Sequence, residues 1–380
     1  MNSSPFFSVK KGSSNNPDTA KALETVASQL YQEDTCITFI FFSSYYDTAI
    51  LEAGIQRLFS GLVVACSTAG EINGNGYSRH SVCGVSISSN VLTAQLFPIY
   101  PVNEPDNLSL KRAISNIRTS KSNPALSSLN HFGILLVDGL SGKEELIAAL
   151  LGNAFPEISI AGGSTGDDLR LENTWIYADN KFRSSAAIFI LFSTSLPFCT
   201  FKSQHFTASE KRIVITSADP DKRIVYELNG TTAADEYSRI IGVAREHLCP
   251  DIFARFPFLL NVGGEYYVRL IKNVNSDGSL TTFCAIDEGL VIRIGKTGDI
   301  AQELENTLKT VENKIGPIAL TLGFDCVHRR LESNSMRLDP AMNSIFKRYN
   351  VMGFCTYGEQ INSVHVNQTF TAVAIGANLG

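Results

Sequence analysis

Three stretches of the chain share one pattern of apolar and polar residues. Each is an apolar run followed by a small polar residue, a threonine, a glycine and an acid: LVVACSTAGEI from Leu62, ISIAGGSTGDDL from Ile158 and VMGFCTYGEQI from Val351. A strand-like run and a helix-like stretch precede each of them, and another strand-like run follows. We therefore predict three copies of a β-α-β-turn-β module, near residues 36–90, 132–193 and 317–377, with turns built alike.

The remaining segments show both helical and strand periodicity. Apolar residues at three- and four-residue spacing predict helices over Thr19–Tyr31, Ala233–Ile241 and Asp299–Ile315. Residues 258–295 read as β structure, and the Asn-Ser-Asp-Gly turn at Asn275 is typical of a hairpin. The predicted fold class is α/β in the mixed α+β sense, with mixed and antiparallel sheets covered by helices.

The chain divides into an arm and two domains by the same reading. Met1–Pro17 is polar, rich in Ser and Asn and without an apolar signal-peptide core, so residues 1–18 are predicted as a disordered N-terminal arm. The alternating stretch Phe198–Ile215 is predicted to cross from the first half to the second. The N-terminal domain is therefore placed at residues 19–205 and the C-terminal domain at residues 206–380.

Composition narrows the class of protein. Hydrophobic residues at 44% and charged residues at 18% are globular values. The net charge of −5 and the lack of a basic block argue against nucleic acid or a membrane surface as a partner. No apolar run reaches the ~18–20 residues of a membrane span. The 8 cysteines form no C-x-x-C pair, which is typical of reduced thiols in a cytoplasmic protein.

Several motifs resemble those of the FIST family. The N-terminal half of the FIST domain is similar to CSTAGEI (66–72), DGLSGKEE (138–145) and AGGSTGDD (161–168). Its C-terminal half is similar to GFDCVHRRLE (323–332) and GFCTYGEQINSVHVNQTFTAVAIG (353–376). Within the family, QHF (204–206) and HVNQTF (365–370) resemble the NosP nitric-oxide-sensing haem proteins. The resemblance covers roughly residues 20–377.

This resemblance implies a two-domain FIST architecture and a role in signal transduction. It implies a cytoplasmic sensor that binds haem b, responds to nitric oxide and regulates a partner histidine kinase of a two-component system. We expect no enzymatic activity and no membrane association, and we leave a homodimer open.

Two of the six histidines are candidates for the haem site, which needs one neutral imidazole in an apolar pocket. His205 follows two phenylalanines and precedes Phe206 at the predicted domain crossing, where small-molecule sites are favoured. We predict His205 as the metal ligand. His365 shares a strand face with Asn367 and follows Glu359 by six residues, and these three are predicted to contact the cofactor. The alternative for either imidazole is a core histidine with a satisfied hydrogen bond.

The other four histidines are predicted to have structural roles. His80, His131 and His247 are expected to be exposed or to cap local structure, and His328 to have a structural role beside an arginine pair.

The repeated turns allow two interpretations. Each acidic side chain (Glu71, Asp167, Asp168 and Glu359) could cap its own turn beside a glycine, or the turns of different copies could converge on one cavity. Three other functions stay open: a sensor of another small ligand such as an amino acid, an enzyme that uses Cys355 or Cys66, and a structural or adaptor protein.

Overall fold

The computed structural model describes residues 6–122 and 129–377. Among these, the helices are α1 (Thr19–Leu30), α2 (Thr48–Leu58), α3 (Leu108–Lys121), α4 (Glu144–Ala154), α5 (Ala233–Ile241), α6 (Pro250–Arg255), α7 (Ile300–Ile315), α8 (Val327–Ser335) and α9 (Asp339–Arg348). No helix in this part of the chain combines the length and apolarity needed to cross a bilayer.

The strands up to residue 203 are β1 (Phe7–Ser14), β2 (Thr35–Ser43), β3 (Leu62–Thr68), β4 (Glu71–Asn73), β5 (Gly76–Ser78), β6 (Val82–Ser89), β7 (Leu92–Ile99), β8 (Asn130–Val137), β9 (Ser159–Ser164), β10 (Ile176–Ala178), β11 (Lys181–Arg183), β12 (Ala187–Thr194) and β13 (Phe198–Ser203). The later strands are β14 (Phe206–Ala208), β15 (Ile213–Asp219), β16 (Ile224–Leu228), β17 (Thr231–Thr232), β18 (Phe258–Val262), β19 (Glu265–Arg269), β20 (Ile271–Val274), β21 (Leu280–Thr282), β22 (Val291–Thr297), β23 (Ile318–Cys326), β24 (Val351–Thr356), β25 (Glu359–Ile361), β26 (Val364–Val366) and β27 (Phe370–Gly376). The mixed α+β class is thus confirmed.

The chain forms two compact units. The first comprises residues 1–203, 304–364 and 370–380, and the second comprises residues 204–303 and 365–369. The first crossing lies close to the predicted boundary at residue 205. The chain then returns to the first unit, whereas the sequence suggested one continuous C-terminal domain over residues 206–380. A strand that rejoins a distant sheet leaves no local mark on composition, so the return was not predicted.

Three six-stranded sheets of the same design build the first unit. Their strand orders are β1-β6-β2-β3-β10-β11, β7-β12-β8-β9-β25-β26 and β13-β27-β23-β24-β4-β5. In each sheet, the first two strands of a copy pair in parallel, and the copy's last long strand pairs antiparallel with the first. The predicted three-copy repeat is confirmed.

The short hairpins connect the copies in a cycle. The hairpin of the first copy (β4–β5) extends the sheet of the third through β24. The hairpin of the third copy extends the sheet of the second through β9, and the hairpin of the second (β10–β11) extends the sheet of the first through β3. Each copy therefore completes the sheet of another.

Helices α1 and α2 illustrate how the sequence sets local structure. Asp18 caps α1 by accepting a hydrogen bond from the Lys21 amide at 3.0 Å. Asp47 caps α2 by accepting from the amides of Ala49 and Ile50 at 2.8 and 3.1 Å. Such caps satisfy amides that have no partner inside the helix. The predicted helix from Thr19 is confirmed, with its apolar face buried against the first sheet.

The N-terminal segment differs from the predicted arm. Residues 1–5 lie outside the described residues, but Phe7–Ser14 forms β1 and pairs with β6 along its whole length. In this edge strand only Gly12 is buried. The side chains carry little alternation of apolar and polar residues because the strand is held by backbone hydrogen bonds rather than by a buried face.

The second unit contains a nine-stranded antiparallel sheet with α5 and α6. Its main path runs β19-β18-β22-β15-β16-β21-β20. Large buried side chains, including Tyr237, Phe253 and Phe258, form its core. The predicted hairpin at Asn275 joins β20 and β21, and the predicted helix Ala233–Ile241 is α5.

Gly353 provides a test of strand packing in the third copy. A Cβ atom at this position would lie 1.7 Å from the carbonyl oxygen of Gly323 on the neighbouring strand. We expect Gly353→Ala to lower the free energy of unfolding by about 1–3 kcal/mol, because the two strands have to separate. Urea denaturation measures this change. Gly74→Ala is the control, since its Cβ would meet only the Lys11 side chain, at 3.9 Å; equal losses in the two variants would contradict the packing explanation.

Candidate functional site

The three repeated turns meet inside the first unit. Backbone hydrogen bonds join them in a cycle, in which the residue after threonine in one copy donates to the carbonyl of the residue before threonine in another: Ala69 to Cys355 (2.9 Å), Gly166 to Ser67 (3.2 Å) and Tyr357 to Ser164 (3.1 Å). We call the segments Ser67–Glu71, Ser164–Asp168 and Cys355–Glu359 the turn cycle. The prediction that the turns are built alike is confirmed.

Two of the three turns are also capped by their own acid. The Thr68 hydroxyl lies 2.6 Å from Glu71 Oε1 and 3.3 Å from the Phe42 carbonyl. In the third copy, the Thr356 hydroxyl contacts Glu359 Oε1 in the same way. Capping by the turn's own acid therefore holds for the first and third turns. The three turns do come together, while their convergence on one cavity stays a prediction. They converge on each other's backbone, and surface cavities of 510, 580 and 490 Å³ in the described part of the chain are lined by other residues.

In the second copy, the acidic side chains Asp167 and Asp168 accept hydrogen bonds from residues outside their own turn. Asp168 Oδ2 accepts hydrogen bonds from the Ser43 hydroxyl at 2.6 Å and the Ser44 amide at 2.9 Å, both in the first copy. The Asp167 carboxylate accepts from three successive backbone amides, Leu171 (2.9 Å), Glu172 (2.7 Å) and Asn173 (3.0 Å). The second turn is thus bound to the first copy and to its own following loop.

The loop after Asp167 has a strained backbone. Asp168, Leu169 and Leu171 have φ values of 57°, 67° and 58°, in the left-handed region that branched and bulky side chains rarely adopt. The Tyr357 hydroxyl donates to Asp167 and accepts from the Leu169 amide at 2.8 Å. Strain of this kind persists where neighbouring structure enforces it. Here residues from all three copies contribute to that enforcement.

A buried group of charges lies beside the turn cycle. Arg329 Nε is 2.7 Å from Asp325 Oδ1, and both side chains are fully buried. The Tyr77 hydroxyl donates to the other carboxylate oxygen of Asp325. Burial raises the pKa of Asp325, and the guanidinium of Arg329 opposes this rise. This ion pair connects Asp325, near the end of β23, to Arg329 in α8, at i, i+4 spacing.

Arg330 extends this group to Cys355 in the third turn. Its guanidinium lies 5.2 Å from the centre of the Tyr77 ring, and its Nη1 is 3.7 Å from Cys355 Sγ. Burial raises the pKa of the Cys355 thiol to about 12, and Arg330 opposes the rise. Burial also raises the pKa of Glu71 to about 7, although the hydroxyls of Ser81 and Thr68 donate to its carboxylate.

The predicted haem residues fall in different places. His205 and His365 belong to the second unit, and each is 3% exposed. The His205 ring centre is 4.3 Å from that of Phe206, and its carbonyl accepts from the Gly298 amide at 2.6 Å. Glu359 belongs to the first unit, where it is buried in the turn cycle. Their roles as cofactor contacts stay predictions.

Asn367 contacts Cys284, a residue that the sequence does not predict for the site. Its Oδ1 lies 2.6 Å from Cys284 Sγ, and a ring nitrogen of His365 is within 4.8 Å of the same sulfur. The carbonyl of His365 accepts from Arg269 Nη1 at 3.3 Å. In the sequence, the two-residue spacing of His365 and Asn367 indicates that these side chains share one face of the strand. Cys284 has no comparable signal, because it is 83 positions away from Asn367.

The other four histidines contact neighbouring side chains or are exposed to solvent. His80 is exposed and stacks on Tyr45 with ring centres 5.6 Å apart, while His131 Nδ1 is 2.9 Å from the Ser193 hydroxyl. His247 is exposed in a short 3₁₀ helix. Burial lowers the pKa of His328 to about 4. Its Nδ1 lies 3.8 Å from Cys326 Sγ.

Comparison with known families matches most of the chain. A family model described as the FIST N domain matches residues 36–231, and one described as the FIST C domain matches residues 233–362. No curated protein matches the chain. The two family matches meet near residue 232, inside the second structural unit.

Proposed function

Because this chain belongs to the FIST family, whose domains are sensory modules that bind small ligands, we propose that it is a haem-based nitric oxide sensor. In this proposal it resembles the NosP proteins and regulates a separate histidine kinase in the cytoplasm. The observation that carries the proposal is the burial of two imidazoles, His205 and His365, in the second unit. A buried neutral imidazole is the proximal ligand that many haem proteins use.

The surroundings of His205 fit a haem ligand better than those of His365. The His205 ring packs against the aromatic ring of Phe206, which provides the apolar flank that a porphyrin requires. His365 instead has a thiol and a carboxamide close by. In this proposal, His205 would hold the iron, and the haem would supply the chemistry that binds nitric oxide. His365 is the second candidate ligand, and Asn367 and Glu359 are further candidate contacts.

A role without enzymatic activity is supported by the state of the cysteine thiols. Nucleophilic cysteines act as thiolates in accessible, electropositive surroundings. Cys66 and Cys355, the two thiols considered for catalysis, are fully buried, and burial raises the pKa of both well above the ordinary value. All 8 cysteines are free, as proposed for a protein in a reducing compartment.

The turn cycle is our candidate for the element that passes the signal to the kinase. Its loop after Asp167 is strained. Ser43 and Ser44 of the first copy donate hydrogen bonds to Asp168, and the Tyr357 hydroxyl of the third copy accepts one from the Leu169 amide. Loops of this kind are frequent in two-state switches. The exposed side chains of Leu169 and Leu171 on this loop provide a surface for a kinase to recognise.

Reconstitution with haem tests the proposal. The full chain should give a Soret band that shifts on addition of nitric oxide to the ferrous form. His205→Gly should lose the five-coordinate spectrum, and added imidazole should restore it by taking the place of the missing side chain. His80→Gly is the matched control, because His80 is an exposed histidine that stacks on Tyr45.

The outcomes separate the ligand assignment from the function. If His365→Gly rather than His205→Gly loses the spectrum, the iron ligand is His365. If the folded wild-type chain shows no Soret band, the haem proposal is wrong. Thermal-shift screening with amino acids would then test the alternative small-ligand sensor, because a ligand of the native state raises the melting temperature.

A further inference from the structure

One surface cavity of the second unit brings two arginines together without an acidic side chain. It has a volume of 490 Å³ and is lined by Arg212, Arg293, Asn261 and Tyr266 together with aliphatic residues. The residues that line it in the described part of the chain include no aspartate or glutamate. We propose that this cavity, which we call the arginine cavity, binds a small organic carboxylate with an apolar body.

The charge of the arginine cavity differs from that of two cavities in the first unit. The cavity of 510 Å³ is lined by one basic and one acidic residue, Arg57 and Asp47, and the cavity of 580 Å³ is lined by Lys181 and Asp179. Opposite charges compensate each other, whereas two guanidinium groups repel each other and attract an anion. This local excess of positive charge occurs in a chain whose net charge is −5. The electrostatics therefore favour an anionic ligand.

Both arginines have hydrogen-bond donors for such a ligand. Within the described residues, the Arg293 guanidinium donates through Nη1, to the carbonyls of Ser209 and Glu210. Its central carbon lies 5.9 Å from the centre of the Tyr266 ring, and this cation–π contact orients the group. The exposed Arg212 side chain forms no hydrogen bond or ion pair with any described residue. A guanidinium group matches a carboxylate because it can form two parallel hydrogen bonds with it.

The rest of the lining favours a ligand with an apolar body. Leu260 and Val291, on the neighbouring strands β18 and β22, provide aliphatic surface. Val291 is 47% exposed, so an apolar group that covers it removes this surface from water. Asn261 Oδ1 accepts from the Gly264 amide at 3.3 Å, and its NH₂ group provides a further donor. The volume of 490 Å³ lies within the range of about 300–1,000 Å³ typical of small-molecule sites.

The lack of an acid in the lining also selects among carboxylates. An α-amino acid carries an ammonium group, which loses hydration in a cavity that offers it two like charges and no carboxylate. A deaminated acid such as 3-phenylpropanoate, which is phenylalanine without its amino group, avoids this cost. The proposal goes beyond the haem chemistry, because the arginine cavity includes neither His205 nor His365 and requires no metal.

Calorimetric titration of the haem-free full chain tests the site. One molecule of 3-phenylpropanoate should bind per chain, and 3-phenylpropanamide and phenylalanine should each bind at least about tenfold more weakly. Arg212→Gln and Arg293→Gln should each weaken binding of 3-phenylpropanoate by about tenfold or more, because a hydrogen bond between charged groups is lost. Arg255→Gln is the matched control, since it removes an exposed arginine of the second unit outside the cavity and should leave the affinity unchanged.

Several results would overturn the proposal. These are no saturable binding of 3-phenylpropanoate by the folded chain, equal affinities for the acid and its amide, an unchanged affinity in Arg212→Gln, or an equal loss in Arg255→Gln. Tighter binding of inorganic phosphate than of 3-phenylpropanoate would also overturn it. Urea denaturation establishes that each variant is folded, and Arg212→Gln keeps the test decisive because its side chain supports no other residue. Carboxylate binding by a chain that shows no Soret band with haem would retain this site and reject the haem.

Discussion

Arg329→Met is expected to lower the free energy of unfolding by about 3–5 kcal/mol, because it leaves the Asp325 carboxylate buried and without its guanidinium partner. Both side chains are fully buried, with Arg329 Nε 2.7 Å from Asp325 Oδ1. Burial already raises the pKa of Asp325, and without the arginine the carboxyl group is expected to bind a proton in the folded state. Urea denaturation at neutral pH measures the loss.

A double variant separates the ion pair from simple loss of packing. Asp325→Asn removes the charge that Arg329→Met leaves unpaired, so the double variant should be more stable than Arg329→Met alone. Arg348→Met is the control, since Arg348 and Glu305 form an exposed pair at 2.9 Å, and such pairs are worth about 0–1 kcal/mol. A loss for Arg329→Met no larger than that for Arg348→Met would show that the buried pair does not stabilise the fold.

Stability should fall with rising pH because of Glu71. Burial raises the pKa of this carboxyl group from 4.5 to about 7 in the folded protein. Below pH 4.5 the group is protonated in both states and its burial carries no charge penalty. Between pH 4.5 and 7 the unfolded chain loses the proton and the folded chain keeps it, so stability decreases by about 3 kcal/mol and then levels off.

Glu71→Gln isolates this contribution. Glutamine stays neutral, so the variant should show a flatter decline of stability between pH 5 and 8 than the wild type. The hydroxyls of Thr68 and Ser81 both donate to Glu71, so the amide group of glutamine will lose one of these contacts and lower stability by a constant amount. Glu33→Gln, at an exposed position, is the control. Parallel pH profiles for wild type and Glu71→Gln would refute the prediction.

The sequence predicts the contents of each copy well, because the signals involved are local. An apolar run, a helix and a glycine–acid turn are read over a few residues, and all three copies are present in the structure. The exchange of hairpins is not predictable in this way. A hairpin strand such as Glu71–Asn73 is only 3 residues long. It is too short for its side chains to specify which distant sheet it joins.

Prediction of the candidate site from the sequence is likewise limited to features that local patterns encode. The flanking phenylalanine and the alternating strand pattern predict that His205 and His365 are buried, and both are. The neighbours of His365 are not predictable, because Cys284 reaches Asn367 only through the tertiary fold. Similarly, the i, i+4 spacing of Asp325 and Arg329 suggests an ion pair, but its complete burial depends on packing around α8.

The cyclic exchange of hairpins has a consequence for synthesis on the ribosome. Glu71–Asn73 is synthesised long before its partner strand Val351–Thr356. Until then, the third sheet lacks the strand that pairs with Glu71–Asn73, and the second sheet lacks the strand Glu359–Ile361. Completion of the first unit must therefore await synthesis of these later strands, and a nascent chain stopped at the boundary between the two family models would expose unpaired strand edges that favour aggregation.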